Sequence, residues 1–200
     1  DKLPTGQLRR LNTFPDGTQS QMLTGIDQSV IIETADGMTT RYLKGPDPRF
    51  GMQAPLTSEL IIAAPNGPNS VVVSDRTVGL IDPNDPLSIQ FIFDTRSING
   101  RSFSSSFSGS YRTWTQTMPE GRQTTAKIDN LGRILSFQVG NLNPVNYFYD
   151  AYGRMESFSI GSGAEQRTIT LIYDPNGYIE TVTDPLDDTT SFSYDIACRL

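Results

Sequence analysis

The chain has 200 residues and a formal net charge of −6, from 16 basic and 22 acidic residues. It contains no histidine and one cysteine, which excludes Ser-His-Asp and Cys-His catalytic centres, imidazole metal sites, zinc fingers and an internal disulfide framework. The acidic balance argues against a duplex nucleic acid partner. The longest apolar runs are far shorter than the roughly 20 residues of a membrane helix, so we expect no membrane span in this segment.

Turn signals divide the first part of the chain into short strand-like runs. The signals are Asp16-Gly17, Asp36-Gly37, Asn66-Gly67, Asn99-Gly100 and Glu120-Gly121. Runs rich in β-branched and aromatic residues between them predict strands at 29–34, 59–62, 70–73 and 88–93. Residues 45–51, which hold two prolines and two glycines, are predicted to form the longest loop.

One seven-residue pattern occurs four times in the last third of the chain, at residues 128–134, 149–155, 173–179 and 194–200. The aspartates of the pattern are separated by 21, 24 and 21 residues, and they are Asp129, Asp150, Asp174 and Asp195. A nearly constant interval of this length indicates a structural repeat.

Each repeat predicts a tight turn. Three residues after the first three aspartates stand Gly132, Gly153 and Gly177, and Cys198 takes the same place in the fourth unit. Glycine tolerates a positive φ, and an aspartate carboxylate can accept hydrogen bonds from backbone amides about two residues further on. We therefore expect an Asp-x-x-Gly turn with glycine in the left-handed region.

Aromatic and aliphatic residues flank the turns at regular positions. Tyr149, Tyr173 and Tyr194 each precede an aspartate of the pattern, and each follows a large apolar residue by two positions. That spacing places both side chains on one face of a strand, so neighbouring hairpins should align their tyrosines into a column. After the turn, apolar residues recur five and eight positions past the aspartate, an odd interval that suits a β-bulge. Each unit is thus a strand, a turn, a strand and a second turn, within one continuous sheet.

The pattern resembles the rearrangement-hotspot or tyrosine-aspartate (YD) repeat family. The resemblance rests on Tyr-Asp-x-x-Gly-Arg-Met at 149–155, Tyr-Asp-x-x-Gly-Tyr-Ile at 173–179 and the Tyr-Asp pair at 194–195. Residues 118–125 look like the Pro-x-Gly-Arg-Thr-Thr phrase that precedes a repeat in this family. Residues 34–55 are similar to the shell region of teneurins and their bacterial relatives.

The resemblance implies an all-β fold, in which repeated hairpins form part of a spiralling hollow β-shell. In bacterial members such a shell encloses a C-terminal toxin, and in teneurins it belongs to a cell-surface adhesion receptor. It therefore implies an enclosed toxin or cargo domain of the same polypeptide as partner, and a secreted or cell-surface location. The family's self-cleavage motif does not occur in this sequence, so the resemblance assigns neither cleavage nor toxicity to these residues.

The carboxylates are the only candidates for catalysis, and no pair of them stands out. Most lie beside proline, glycine or asparagine, where turn formation explains them: Asp47, Asp82, Asp85, Asp94, Glu120, Asp184, Asp187 and Asp188. Residues 174–177 imitate the start of a calcium loop, but Pro185 stands where the twelfth-position glutamate should be. We expect no catalytic residue, no metal site and no cofactor.

Two readings of function follow. Residues 1–117 are interpreted as an irregular β-rich shell segment and residues 118–200 as YD repeats, together one continuous shell fragment with a structural role. The alternative is a teneurin-like adhesion or carbohydrate-binding module, in which exposed aromatic residues contact cell-surface glycans. Packing explains the aromatic residues, Trp114 included, without a ligand, and Cys198 is expected to be a small, partly buried side chain.

Overall fold

The computed structural model describes all of residues 1–200 and contains β-strands and one turn of 3₁₀-helix at Gly163–Glu165. The sixteen strands are β1 Leu8–Thr13, β2 Gln19–Thr24, β3 Val30–Glu33, β4 Thr39–Asp47, β5 Gly51–Ala63, β6 Ser70–Leu80, β7 Ile89–Ile98, β8 Arg101–Ser108, β9 Thr113–Thr117, β10 Gln123–Ile128, β11 Ile134–Val139, β12 Val145–Tyr149, β13 Met155–Ile160, β14 Arg167–Tyr173, β15 Ile179–Thr183 and β16 Thr189–Ser191. None of the chain forms a helix that is long and apolar enough to cross a membrane.

The strands form one sheet in which hydrogen-bonded neighbours follow chain order from β1 to β16. The strand pairings from β1 to β8 and from β10 to β16 are antiparallel, as hairpin connections require. The predicted all-β fold of successive hairpins is therefore confirmed.

The chain divides into two compact units. The first comprises Asp1–Ser110 and Gln116–Gly121, and the second comprises Tyr111–Thr115 and Arg122–Leu200. Few side chains are buried: Val30 is 5% exposed and Ile92 6%, beside the polar Asp47 at 3% and Ser159 at 1%. Backbone ladders and contacts between neighbouring strands therefore supply much of what holds each unit together.

Two long hairpins mark the first unit, and one of them corrects the predicted loop at 45–51. β4 continues through Asp47 and pairs with Gly51 at the start of β5, so the turn itself is only three residues long. The register shifts between Gly45 and Asp47, which leaves Pro46 without a partner in the ladder. Proline has no amide hydrogen and is tolerated at such a bulge, so its presence does not end the strand.

A β-bulge follows each of the first three repeat turns, all of which lie in the second compact unit. In the first repeat, Lys127 pairs with Ser136 but Ile128 pairs with Ile134, so Leu135 is the extra residue. The same shift occurs between β12 and β13 and between β14 and β15. The expectation of a bulge is confirmed. One extra residue restores a common face to the apolar residues five and eight positions past the aspartate.

Candidate functional site: a ladder of aspartate, arginine and tyrosine

The four repeat turns share one backbone geometry. In the second repeat, the Asp150 amide donates to the Arg154 carbonyl and the Gly153 amide donates to the Asp150 carbonyl, both at 2.9 Å. The turns at Asp129, Asp174 and Asp195 close in the same way. The third residue after the aspartate has a φ of +81° at Gly132, +83° at Gly153, +93° at Gly177 and +60° at Cys198. The expected left-handed position is thus observed in all four units.

The aspartate carboxylate organises the turn with one of its oxygens. In the second repeat, Oδ1 of Asp150 accepts the backbone amides of Tyr152 and Arg154, each at 2.9 Å. Asp129 and Asp195 accept the equivalent two amides. Oδ1 of Asp174 accepts the amide of Tyr178 at 2.8 Å. These bonds satisfy amides that the tight turn leaves without strand partners.

The second carboxylate oxygen binds an arginine that sequence reasoning did not single out. Oδ2 of Asp129 and of Asp150 accepts Nε of Arg133 and Arg154, respectively, at 2.7 Å, and Asp195 pairs with Arg199 in the same way at 2.8 Å. Partial burial opposes ionisation of Asp150, but the hydrogen bonds from Arg154 outweigh it and lower the pKa of that carboxyl. The sequence does contain a signal for this ion pair, because arginine stands four residues after the aspartate in three of the four repeats.

The arginines of the first two units also reach the tyrosine of the next unit. The guanidinium carbon Cζ of Arg133 lies 4.6 Å from the ring centre of Tyr149, and that of Arg154 lies 4.3 Å from Tyr173. The hydroxyl of Tyr149 donates to the carbonyl of Ile134 at 2.9 Å, and Tyr173 bonds Met155 likewise at 2.8 Å. Each of these two contacts between successive units therefore combines a cation–π contact with a hydrogen bond.

These contacts show what lies between the tyrosines of successive units. Tyrosines of successive units lie two strands apart, about 9–10 Å in a sheet, which is too far for their rings to touch. An arginine fills the interval, so Arg133 and Arg154 alternate with Tyr149 and Tyr173. We call this arrangement the ladder, and we call each contact between successive units a joint.

Glycine in the turn also makes room for the ladder. A Cβ on Gly153 would lie 3.1 Å from Nη1 of Arg133, and one on Gly177 would lie 3.6 Å from Nη1 of Arg154. At Gly132 such an atom would meet nothing within 4 Å. Gly153 therefore serves both the backbone conformation and the packing of Arg133, whereas a Cβ on Gly177 would be in ordinary van der Waals contact with Arg154.

The joint between the third and fourth units is built differently. Tyr178 replaces arginine, and its ring centre lies 5.1 Å from that of Tyr194. Its hydroxyl donates to Sγ of Cys198 at 2.9 Å, which raises the pKa of the Tyr178 phenol. Cys198 is exposed, so the expectation of a partly buried thiol is wrong. Its position in a surface turn explains the difference.

A separate ionic network connects the two long hairpins of the first compact unit, which comprises Asp1–Ser110 and Gln116–Gly121. Arg76 on β6 pairs with both oxygens of Asp94 on β7, through Nε at 2.6 Å and Nη2 at 2.8 Å. Its Nη1 lies 3.4 Å from Oδ2 of the buried Asp47, whose Oδ1 accepts the Arg49 amide at 2.8 Å. The hydrogen bonds with Asp94 raise the pKa of Arg76. Burial opposes ionisation of Asp47, but the amide and charge of Arg49 prevail and lower its pKa.

This network corrects the interpretation of Asp94 as a turn residue. Asp94 lies within β7 and stands directly opposite Arg76 in the antiparallel pairing of β6 with β7. Several of the remaining acids do cap turns. Asp82, Asp85 and Asp184 each accept a backbone amide two residues further on, at 2.8–2.9 Å. Glu120 instead pairs with Arg101 at 3.1 Å on the surface.

The oxygens of Asp174, in the sequence that imitates a calcium loop, bond within their own turn. Oδ1 binds the Tyr178 amide, and Oδ2 lies 3.4 Å from the side-chain amide of Asn176. No group of three or more acidic or cysteine side chains is arranged to hold a metal ion. Trp114 is half-buried on β9.

Neither the family models nor the curated proteins contain a sequence match to this chain. Solved structures do match. The crystal structure of TcdB2-TccC3-TEV aligns with 92% of the chain at a TM-score of 0.57 and 12% identity. That of TcdB2-TccC3-Cdc42 aligns with 92% at a TM-score of 0.52 and 13% identity. The chain shares its fold with a segment of the TcdB2-TccC3 chains.

The resemblance to a YD-repeat shell is thereby confirmed at the level of the fold. A further match, to the Tc holotoxin pore of Photorhabdus luminescens, covers 87% of this chain at 10% identity with a TM-score of 0.30. The chain spans about a tenth of the length of the TcdB2-TccC3 chains that it matches.

Proposed function

We propose that this chain is a structural segment of a YD-repeat shell that encloses a C-terminal toxin or cargo domain of the same polypeptide. The observation that carries the proposal is the sixteen-stranded sheet in chain order, which aligns over 92% of the chain with TcdB2-TccC3. A sheet built from consecutive hairpins adds wall area with each repeat and needs no crossover connection.

The ladder supports a structural role. Its arginines are paired with aspartates and stacked on tyrosines, so the charged groups of the repeats bind one another. Each joint connects one turn to the next across two strands and so couples successive hairpins. We propose that these residues have no catalytic role.

The same contacts give Tyr149 and Tyr173 a structural explanation that needs no carbohydrate ligand. Tyr149 and Tyr173 are each covered on one face by a guanidinium and use their hydroxyls within the protein. In keeping with the shell proposal, we assign the intact protein to a secreted or cell-surface location.

Protease protection tests the proposal in the natural polypeptide that contains this segment. We expect the region after the shell to be digested at least about tenfold more slowly within the intact protein than when it is expressed alone. Weakening the wall with Gly153→Val should abolish that protection, whereas Ala151→Val, in the same turn, should preserve it. Equal digestion of the attached and separate regions would contradict enclosure.

A further inference from the structure

The joint between the third and fourth units departs from the other two joints at both of its contacting positions. The position four residues after the aspartate holds Arg133, Arg154 and Arg199 in three units but Tyr178 in the third. The position three residues after the aspartate holds glycine in three units but Cys198 in the fourth. These are the two residues that meet at this joint, with Tyr178 Oη 2.9 Å from Cys198 Sγ.

Cysteine is a costly residue at this position unless a contact offsets the cost. Its φ of +60° lies in the left-handed region, where a Cβ crowds the backbone and glycine is favoured. The three equivalent positions in this chain are glycine. The hydrogen bond from Tyr178 to the sulfur is the contact that cysteine makes here and glycine could not.

An arginine opposite Cys198 would be more crowded than the arginines of the regular joints. There, a guanidinium nitrogen lies 3.1 Å from the place where a Cβ on Gly153 would be, which is a tight contact, and 3.6 Å from that place on Gly177, which is an ordinary van der Waals contact. Cysteine adds both that Cβ and a sulfur atom, so an arginine at 178 would be displaced from the turn. The ring of Tyr178 instead packs against the ring of Tyr194, with an angle of 34° between the two ring planes. Its hydroxyl donates a hydrogen bond to the sulfur of Cys198.

We propose that Tyr178 and Cys198 are a matched pair that determines which hairpin docks next. The unit that carries Cys198 fits behind a unit with tyrosine in the position of Tyr178, and not behind a unit with arginine there. Hairpins with similar edges can pair out of order or exchange between molecules. A joint that rejects the residue used by its neighbours excludes those alternatives for the fourth unit.

A double-mutant cycle in the full 200-residue chain tests the pairing. The reporter is hydrogen exchange at the Phe192 amide, which donates to the Glu180 carbonyl and so joins the fourth unit to the third. Tyr178→Arg should speed exchange at Phe192 by about tenfold, because the arginine meets Cys198. Adding Cys198→Gly should restore protection by creating a regular arginine–glycine joint. Additive effects of the two substitutions would overturn the proposal.

The thiol supplies a second readout that a milder variant can use. Cys198 is the only cysteine, so its alkylation by iodoacetamide reports directly on this joint. Tyr178→Phe removes only the hydroxyl and should increase the alkylation rate of Cys198. Tyr111→Phe, at an exposed tyrosine elsewhere in the same compact unit, should leave that rate unchanged. If Tyr178→Arg unfolds the chain, this comparison decides the matter, and equal rates in Tyr178→Phe and the unmodified chain overturn the proposal.

Transplanting the pair to the preceding joint provides an independent test. Gly177→Cys places a cysteine opposite Arg154 and should weaken the joint between the second and third units. Adding Arg154→Tyr should recover part of the lost unfolding midpoint if tyrosine and cysteine form a self-sufficient pair. Failure of that rescue would show that the pairing depends on its surroundings and would overturn the matching rule.

Discussion

Both compact units pair aspartates with arginines, but they do so over different distances along the chain. In the second unit, Arg154 binds Asp150, four residues earlier in the same turn. In the first unit, Arg76 binds Asp94 and Asp47, which are 18 and 29 residues away. A local pair can be repeated with every hairpin, whereas the long-range network forms only when two hairpins have already folded. The repeat turns therefore contain their ion pair within a single hairpin, whereas the Arg76 network of the first compact unit requires contacts between hairpins.

The hairpin turns of the two units differ in where the acid stands. The turn from Phe14 to Thr18 closes with the same two backbone hydrogen bonds as a repeat turn. Its Asp16 stands in the third position and accepts the Thr18 amide and hydroxyl, at 3.0 Å and 2.7 Å. Asp150 stands in the first position, where one oxygen caps two amides and the other binds Arg154. The second arrangement extends the turn to the next hairpin, because Arg154 also contacts Tyr173.

The largest expected loss of stability comes from Arg76→Ala, which breaks the long-range network. Removing the guanidinium leaves the buried Asp47 and its neighbour Asp94 with less countercharge, at a cost of about 2–4 kcal/mol in the free energy of unfolding. Arg96→Ala, on the adjacent strand and exposed, is the matched control. Urea denaturation measures both, and equal losses would show that the network adds no stability.

Glycine substitutions in the two kinds of turn separate backbone strain from ladder packing. Gly17 and Gly153 have nearly equal φ values, +82° and +83°, but only a Cβ on Gly153 would meet an arginine. We expect Gly17→Ala to cost about 1–2 kcal/mol from the left-handed backbone alone, and Gly153→Ala to cost more because Arg133 must shift. Gly153→Val should cost more than Ala151→Val in the same turn. Equal losses for Gly17→Ala and Gly153→Ala would mean that the ladder tolerates a methyl group.

Replacing one arginine of the ladder should have a smaller effect on stability. Arg154→Lys retains the charge but loses the planar contact with Tyr173, and we expect the melting temperature to fall by about 2–4 °C. Arg167→Lys on β14, an exposed arginine of the same unit, is the control. Calorimetry is the measurement, and an unchanged melting temperature in Arg154→Lys would reduce the ladder to a simple charge pair.

Acid should weaken both kinds of turn, and salt should distinguish them. The pKa of Asp150 is lowered by Arg154 against the effect of partial burial, and the pKa of Asp16 is lowered mainly by the Thr18 hydroxyl. A carboxyl with a lowered pKa contributes stability above its unfolded value, near pH 4, and loses it as the pH falls through the folded value. Asp150→Asn and Asp16→Asn should therefore each flatten the loss of stability below about pH 4.

High salt should reduce the difference between Asp150→Asn and the unmodified chain, because it screens the pair with Arg154. It should leave the Asp16→Asn difference nearly unchanged, because Thr18 is neutral. Midpoints measured across the acid range at low and high salt check both expectations. A salt response of the same size in the two variants would contradict the distinction between the turns.

Sequence reasoning succeeded wherever neighbours along the chain decide the structure. The spacing of aspartate and glycine predicted the turns, the positive φ and the bulge that follows, because each depends on residues within about eight positions. It failed at 45–51, where the partner strand kept Pro46 within β4. It also failed at Asp94, whose role depends on a register that places it opposite Arg76.

The sequence by itself determined that this protein is a chain of hairpins with four equivalent turns near its end, since turn chemistry and strand alternation act over short distances. Only the tertiary structure decided what lies between successive turns. Arg133 reaches Tyr149, and Tyr178 reaches Cys198, across two strands of the sheet. Such contacts follow from strand register and interstrand spacing, which arise when the strands pair and which no single repeat encodes alone.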